Sequence, residues 1–72
     1  MRMTYDRDAD ALYIRLKEPS EQVEVTRVSQ EVACDIDAEG HVVGIEILNA
    51  SSLFTRPDSP SVELEYAAPR RV

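Results

Sequence analysis

The sequence predicts a mainly β (small α+β) domain, an antiparallel meander of five to six short strands with one short helix near residues 50–55. Three observations predict it. Apolar residues recur at every second position in several runs, a period of two rather than 3.6. One of the two glycines, Gly40, falls between two such runs, where a tight turn needs positive φ. Three of the four prolines, Pro57, Pro60 and Pro69, lie near the C-terminus, so a compact part over 1–54 gives way to an extension over 55–72.

The elements follow in order. Met3 and Tyr5 point one way in a first strand, and Asp6-Arg7-Asp8-Ala9 turns the chain into a second strand over 10–17. There Leu12, Ile14 and Leu16 alternate with Tyr13, Arg15 and Lys17. Val23 and Val25 begin a third strand. Val28 falls out of phase, which places a bulge or a turn around Ser29-Gln30. Val32, Cys34 and Ile36, then Val43, Ile45 and Ile47, form a hairpin when their apolar faces coincide. That register sets Val32 opposite Ile47, Cys34 opposite Ile45 and Ile36 opposite Val43, with Glu39-Gly40 as a two-residue turn. Asn49 or Ser51 caps a short helical turn carrying Leu53 and Phe54 over one end of the sheet. Val62, Leu64 and Tyr66 alternate with Glu63 and Glu65, the pattern of an edge or exchanged strand over 61–67 flanked by Pro60 and Pro69.

Composition narrows the function classes. The 72 residues carry 14 Asp plus Glu against 8 Lys plus Arg, a formal net charge of −6. One domain is what this length allows, and such a chain buries only roughly 60% of its unfolded surface. The acidic balance argues against nucleic acid or anionic lipid as partner, both being polyanions, and Arg70-Arg71 is too small a basic cluster to alter that. No apolar run approaches the ~20 residues of a bilayer span. Residues 1–20 contain four acidic residues and no apolar h-region, so a signal peptide is not expected and a cytoplasmic location is. One cysteine, Cys34, allows neither an intrachain disulfide nor a Cys-rich zinc site.

Several clusters have the residue types of chemical sites. Asp6, Asp8 and Asp10 match the first ligands of a calcium loop, but Ala11 and Lys17 stand where that loop needs Gly and a bidentate Glu. Asp side chains capping a turn account for them better. Asp35, Asp37 and Glu46 share the polar face of the hairpin, with Gly44 opposite Asp35. Clustered carboxylates of this kind bind divalent metal or serve acid–base chemistry. The competing expectation is a solvated face neutralised by Arg15 or Arg27. His41, the only histidine, sits past the turn, far from Cys34, which reads as a small core hydrophobe. No catalytic residue and no cofactor are expected. Tyr13 lies on the polar face, where an aromatic suggests contact with a partner. Together with Val62, Leu64 and Tyr66 it makes up the expected interface.

Two dense stretches resemble a known family. Tyr5-Asp6-Arg7-Asp8-Ala9-Asp10-Ala11-Leu12-Tyr13-Ile14-Arg15-Leu16 resembles the opening of the small prokaryotic family known as domain of unknown function 2283. The run from Asp35-Ile36-Asp37 through Gly40, then Val42-Val43-Gly44-Ile45-Glu46-Ile47-Leu48 and Asn49-Ala50-Ser51, is similar to its second signature, and the resemblance covers about 3–54. It implies a short, soluble, strand-rich protein without an assigned activity. Some members are encoded beside small toxin-like or relaxase-like proteins, which implies an antitoxin-like or accessory role. No catalytic residues carry over. The family's turn often reads Asp-Gly where this chain has Glu39-Gly40, and Cys34 stands where an aliphatic residue is usual.

The expected function is a non-enzymatic, homo-oligomeric protein-binding module, a homodimer with a further protein partner. The open sheet edges and the acidic surface motivate it. The rival is a metal-binding protein or metal-dependent hydrolase using Asp35, Asp37 and Glu46.

Overall fold

The computed structural model describes residues 1–18, 22–56 and 58–69. Arg70-Arg71 therefore lies outside the described residues. Five strands form one antiparallel sheet: β1 (Arg2–Asp6), β2 (Ala11–Arg15), β3 (Val23–Arg27), β4 (Val32–Asp37) and β5 (Val42–Leu48). A 3-10 turn, η1 (Ala50–Leu53), follows β5. The protein is mainly β, and the helix expected near 50–55 is this single 3-10 turn.

Strand order departs from a simple meander. It runs β1-β2-β5-β4-β3, so β5 lies at the centre and β3 at the far edge. Composition explains the order. Leu12 and Ile14 of β2 stand opposite Ile47 and Ile45 of β5, which joins the two most apolar strands in the middle. Every residue of β3 is exposed, including Val23 and Val25, as suits an edge. β3 ends at Arg27, and a turn over 29–30 holds Val28 out of phase, its amide and that of Ser29 donating to the Val32 carbonyl.

The β4–β5 register agrees with the sequence pattern at Val32–Ile47, Cys34–Ile45 and Asp35–Gly44. It then shifts. Ile36 stands opposite Val42 rather than Val43, so β5 carries one extra residue, and that residue, Val43, is only 2% exposed. The expected two-residue turn consequently becomes a four-residue loop over 38–41. Asp37 shapes it: its backbone amide donates to the His41 carbonyl, and its carboxylate accepts from the amides of Glu39 (3.0 Å) and His41 (2.9 Å). Gly40 has φ +89°, the left-handed conformation for which the turn requires glycine.

The β1–β2 turn spans 7–10, one residue later than the pattern suggests. Asp6 accepts from the amides of Asp8 and Ala9, the turn-capping role expected of it. Asp10 belongs to the turn rather than to β2 and holds φ +50°.

Paired registers give the sheet two distinct faces. One carries the row Met3, Ile14, Ile45, Cys34 and Thr26, and beside it the row Tyr5, Leu12, Ile47 and Val32. The other carries Thr4, Tyr13, Glu46, Ala33 and Arg27, then Arg2, Arg15, Gly44, Asp35 and Val25. Among the described residues only Ala33, Val43 and Ala50 are fully buried apolar side chains. Residues 60–69 form no helix, turn or strand, so the strand expected over 61–67 forms no ladder with its own sheet.

Gly40→Ala is expected to cost about 1 kcal/mol, because alanine pays for φ +89° while its methyl meets no atom within 4 Å. Urea denaturation would check it, with Gly40→Asn expected to cost less.

Candidate functional site

The polar face is organised by a tyrosine laid across a glycine. Tyr13 on β2 reaches over Gly44 on β5, and its hydroxyl donates to Asp35 on β4 at 2.6 Å. A methyl on Gly44 would collide with the Tyr13 hydroxyl and lie 2.8 Å from its ring carbon Cζ and 3.2 Å from the Asp35 carboxylate. Glycine is thus required there by space and not by backbone conformation. The Arg15 guanidinium lies 5.8 Å from the Tyr13 ring centroid. The bond to Asp35, and burial after it, raise the Tyr13 hydroxyl above its ordinary pKa.

This geometry reassigns the acidic residues. Asp35 and Asp37 do share one face with Glu46, as the register predicted. Neither is neutralised by the expected arginines: Arg15 pairs with Glu18 at 3.1 Å, and Arg27 donates to the carbonyls of Ser29 and Gln30. Asp35 is engaged by Tyr13 instead. Asp37, 7% exposed, is engaged by the turn amides, with Lys17 Nζ at 3.5 Å and His41 Nδ1 at 3.8 Å. The His41 amide, then that of Glu39, and the Lys17 charge hold its carboxyl below the usual range against the opposing effect of burial. Among the described residues no three His, Cys, Asp or Glu side chains converge to hold a metal ion. Cys34 and His41 stay apart, one in a central strand and the other exposed in the loop.

A second cluster escaped sequence reasoning. Asp10 accepts from the Tyr5 hydroxyl (2.7 Å), the Ser51 amide (2.9 Å) and the Ser51 hydroxyl (2.7 Å), while its carbonyl accepts from the Ala50 amide. The Tyr5 bond and then the Ser51 bonds lower the Asp10 pKa, and the same bond raises that of Tyr5. Here the anchor of η1 is Asp10, since Asn49 makes no side-chain capping bond. Phe54 then meets Tyr5 edge to face, with ring centroids 5.1 Å apart. The available signal was the pairing of an Asp at the end of one turn with a Ser two residues past Asn49, which gains meaning only once β2 and β5 are neighbours.

On the apolar face Leu12, Ile14, Leu16, Val32, Cys34, Ile36, Ile45 and Ile47 are all half-buried. Among the described residues the only element beyond the sheet is η1, which packs on β2 at one end. The described apolar side chains of the tail do not cover this face: Val62, Leu64 and Tyr66 are exposed, Leu64 at 96%.

A family model described as a protein of unknown function (DUF2283) matches residues 2–51, a span that holds all five strands. The chain belongs to the DUF2283 family. No curated protein and no solved structure matches it. The DUF2283 match ends inside η1, so the exposed tail lies beyond it. Among the described residues of this DUF2283 protein no helix is long and apolar enough to cross a membrane.

Gly44→Ala is expected to destabilise by about 2 kcal/mol, since the ring must move and give up a bond to a charged acceptor. In a Tyr13→Ser background the same change should cost far less, a coupling that a double-mutant cycle of urea melts would measure. The lowered carboxyls predict acid sensitivity. Both have folded pKa values below their unfolded ones, so their stabilisation is complete above the ordinary carboxylate range. It is lost as pH falls through the folded values, below about pH 4. Urea midpoints should be level from pH 7 to 5 and fall towards pH 2, less steeply in Asp37→Asn.

Proposed function

We propose that this protein is a non-enzymatic, homo-oligomeric protein-binding module whose subunits associate through the apolar face of the sheet. The observation that carries the proposal is the uncovered row Ile14, Ile45 and Cys34 with its neighbours Leu12, Ile47 and Val32. A sheet with one apolar face is stable when a second layer covers that face, and the described residues supply only one 3-10 turn towards such a layer.

A second copy is the occupant that fits. The two central rows contain no Asp, Glu, Lys or Arg, so they offer a charged partner nothing to pair with, and Glu24 stands outside them at the β3 edge. At a net charge of −6, two copies repel through most of their surface, and this face lets them meet without bringing carboxylates together. Face-to-face association places the Tyr13 face outward on both subunits. Its carboxylates, Glu46 foremost, then suit a further protein partner with basic groups, through contacts that salt weakens. An antitoxin-like or accessory role is consistent with that arrangement. Tyr13 would serve chiefly to stabilise the outer face. The metal-dependent alternative gains no support from Asp35 and Asp37, of which one accepts from Tyr13 through Oδ2 and the other from the turn amides through Oδ1.

Sedimentation or native mass spectrometry is expected to give a dimer at micromolar concentration, with a melting temperature that rises with protein concentration. Ile45→Asp should shift the mass towards monomer, and Glu46→Lys, on the opposite face, should leave it unchanged. A wild-type monomer with a concentration-independent melt would overturn the proposal.

A further inference from the structure

The C-terminal tail carries three large exposed apolar side chains at alternate positions: Val62, Leu64 and Tyr66. Glu63 and Glu65 lie between them. The described residues of the segment are exposed and pair with no strand, and the Cα radius of gyration of 14.5 Å exceeds the about 11 Å of a compact chain this long, as a projecting arm requires. An extended arm of this pattern is a strand without a partner, and the sheet has two edge strands without an outer neighbour, β1 and β3.

Charge and polarity distinguish the two edges. Beside β3, the tail could align its apolar side chains with Val23 and Val25 only by setting its glutamates on the face that carries Glu24. Beside β1 the fit improves on both faces. Val62, Leu64 and Tyr66 would continue the apolar face next to Met3 and Tyr5, and Met3 is 41% exposed as it stands. The glutamates would fall on the face where Arg2 and Arg15 stand directly opposite each other. In an antiparallel register with Leu64 beside Met3, Val62 meets Tyr5 and Glu65 meets Arg2. A parallel register with the same alternation that sets Val62 beside Met3 carries Glu65 to Asp6 instead.

The origin of the arm indicates whose edge it joins. Phe54 packs against Tyr5, a residue of the apolar face, so the chain leaves the domain from the side that a second copy would cover. The Arg7 guanidinium donates to the Asp58 carbonyl at 3.2 Å and holds the base of the arm there. Pro60 then fixes its own φ and biases Ser59 to extended backbone, which favours an arm that runs on rather than folding back.

We infer that residues 62–66 of each subunit add as an antiparallel sixth strand to the β1 edge of a second copy, with Glu65 against Arg2. The inference rests on the self-association proposed above and adds its mechanism, a reciprocal exchange of arms by strand addition. Edge strand and donated strand would each gain main-chain partners, and each apolar face would widen by one strand.

Disulfide trapping in the full chain tests it. Met3→Cys and Leu64→Cys variants, both in a Cys34→Val background, would be purified separately, mixed, equilibrated and oxidised. An exchanged arm brings the two new thiols within the Cα separation that a disulfide spans, about 4.4–6.8 Å. The expected result is a covalent dimer containing one of each variant, with a several-fold lower yield when Glu65→Lys is added. A doubly substituted chain that forms its disulfide within one subunit, in a particle of dimeric mass, would overturn exchange and leave self-association standing. Dimeric mass with no cross-link would do the same. Monomeric mass would overturn both.

Discussion

The Tyr13 side chain spanning Gly44 to reach Asp35 ties the three central strands together on a face where, among the described residues, no other element packs. A single sheet has no opposing layer to limit shear between strands, so cohesion must come from contacts within each face. The Tyr13–Asp35 bond crosses β5 entirely and joins its two neighbours. It requires that β5 carry no side chain at position 44, and that absence is what allows the Tyr13 ring to pass over the strand. The Asp10 cluster does comparable work at one end, where one carboxylate in the β1–β2 turn accepts one bond from Tyr5 of β1 and two from Ser51 of η1. Asp37 orders the other end by satisfying the amides of the β4–β5 loop. Three aspartates that resemble parts of an acidic site are therefore occupied in holding strands and turns.

Polar contacts secure one face and the two ends, while the other face is left to hydrophobic burial that the chain does not complete by itself. Few apolar side chains are fully buried, and an isolated sheet of this size draws little net stability from such a core. The apolar rows, the exposed arm and the unpaired edges are thus parts of one problem. The apolar surface is disfavoured in water, the unpaired edges are templates for another strand, and a second subunit would cover both. The charge distribution fits the same division, because the two central apolar rows carry no carboxylate, and on that face of the strands Glu24 stands out at the β3 edge.

Much of the fold is legible in the sequence because strand patterning is local. The alternation in 12–16, 32–36 and 43–47 identifies three strands, and the demand for coincident apolar faces sets most of the β4–β5 register. Gly40 marks its turn and Asp6 caps another, both through interactions within a few residues. The bulge at Val43 was not legible. Ile36 opposite Val42 or Val43 gives an equally apolar pair, and the choice follows from the loop that Asp37 organises. Strand order was not legible either, since β2 could have paired with β3 by a short connection. Its apolar match to β5, and the exposed character of β3, decide the matter only when all five strands compete.

By itself, the sequence determined the class of fold, the strands, the family and the acidic character, because composition, period and local turn chemistry express these directly. Tertiary structure alone decided that Tyr13 and Asp35 meet over Gly44, that Asp10 receives Tyr5 and Ser51, and that one face stands uncovered. The Tyr13–Asp35 and Asp10–Ser51 contacts depend on residues 22 and 41 positions apart becoming neighbours, whereas Tyr5 and Asp10 are five apart. That proximity is created by the placing of β5 between β2 and β4, and no local pattern encodes it.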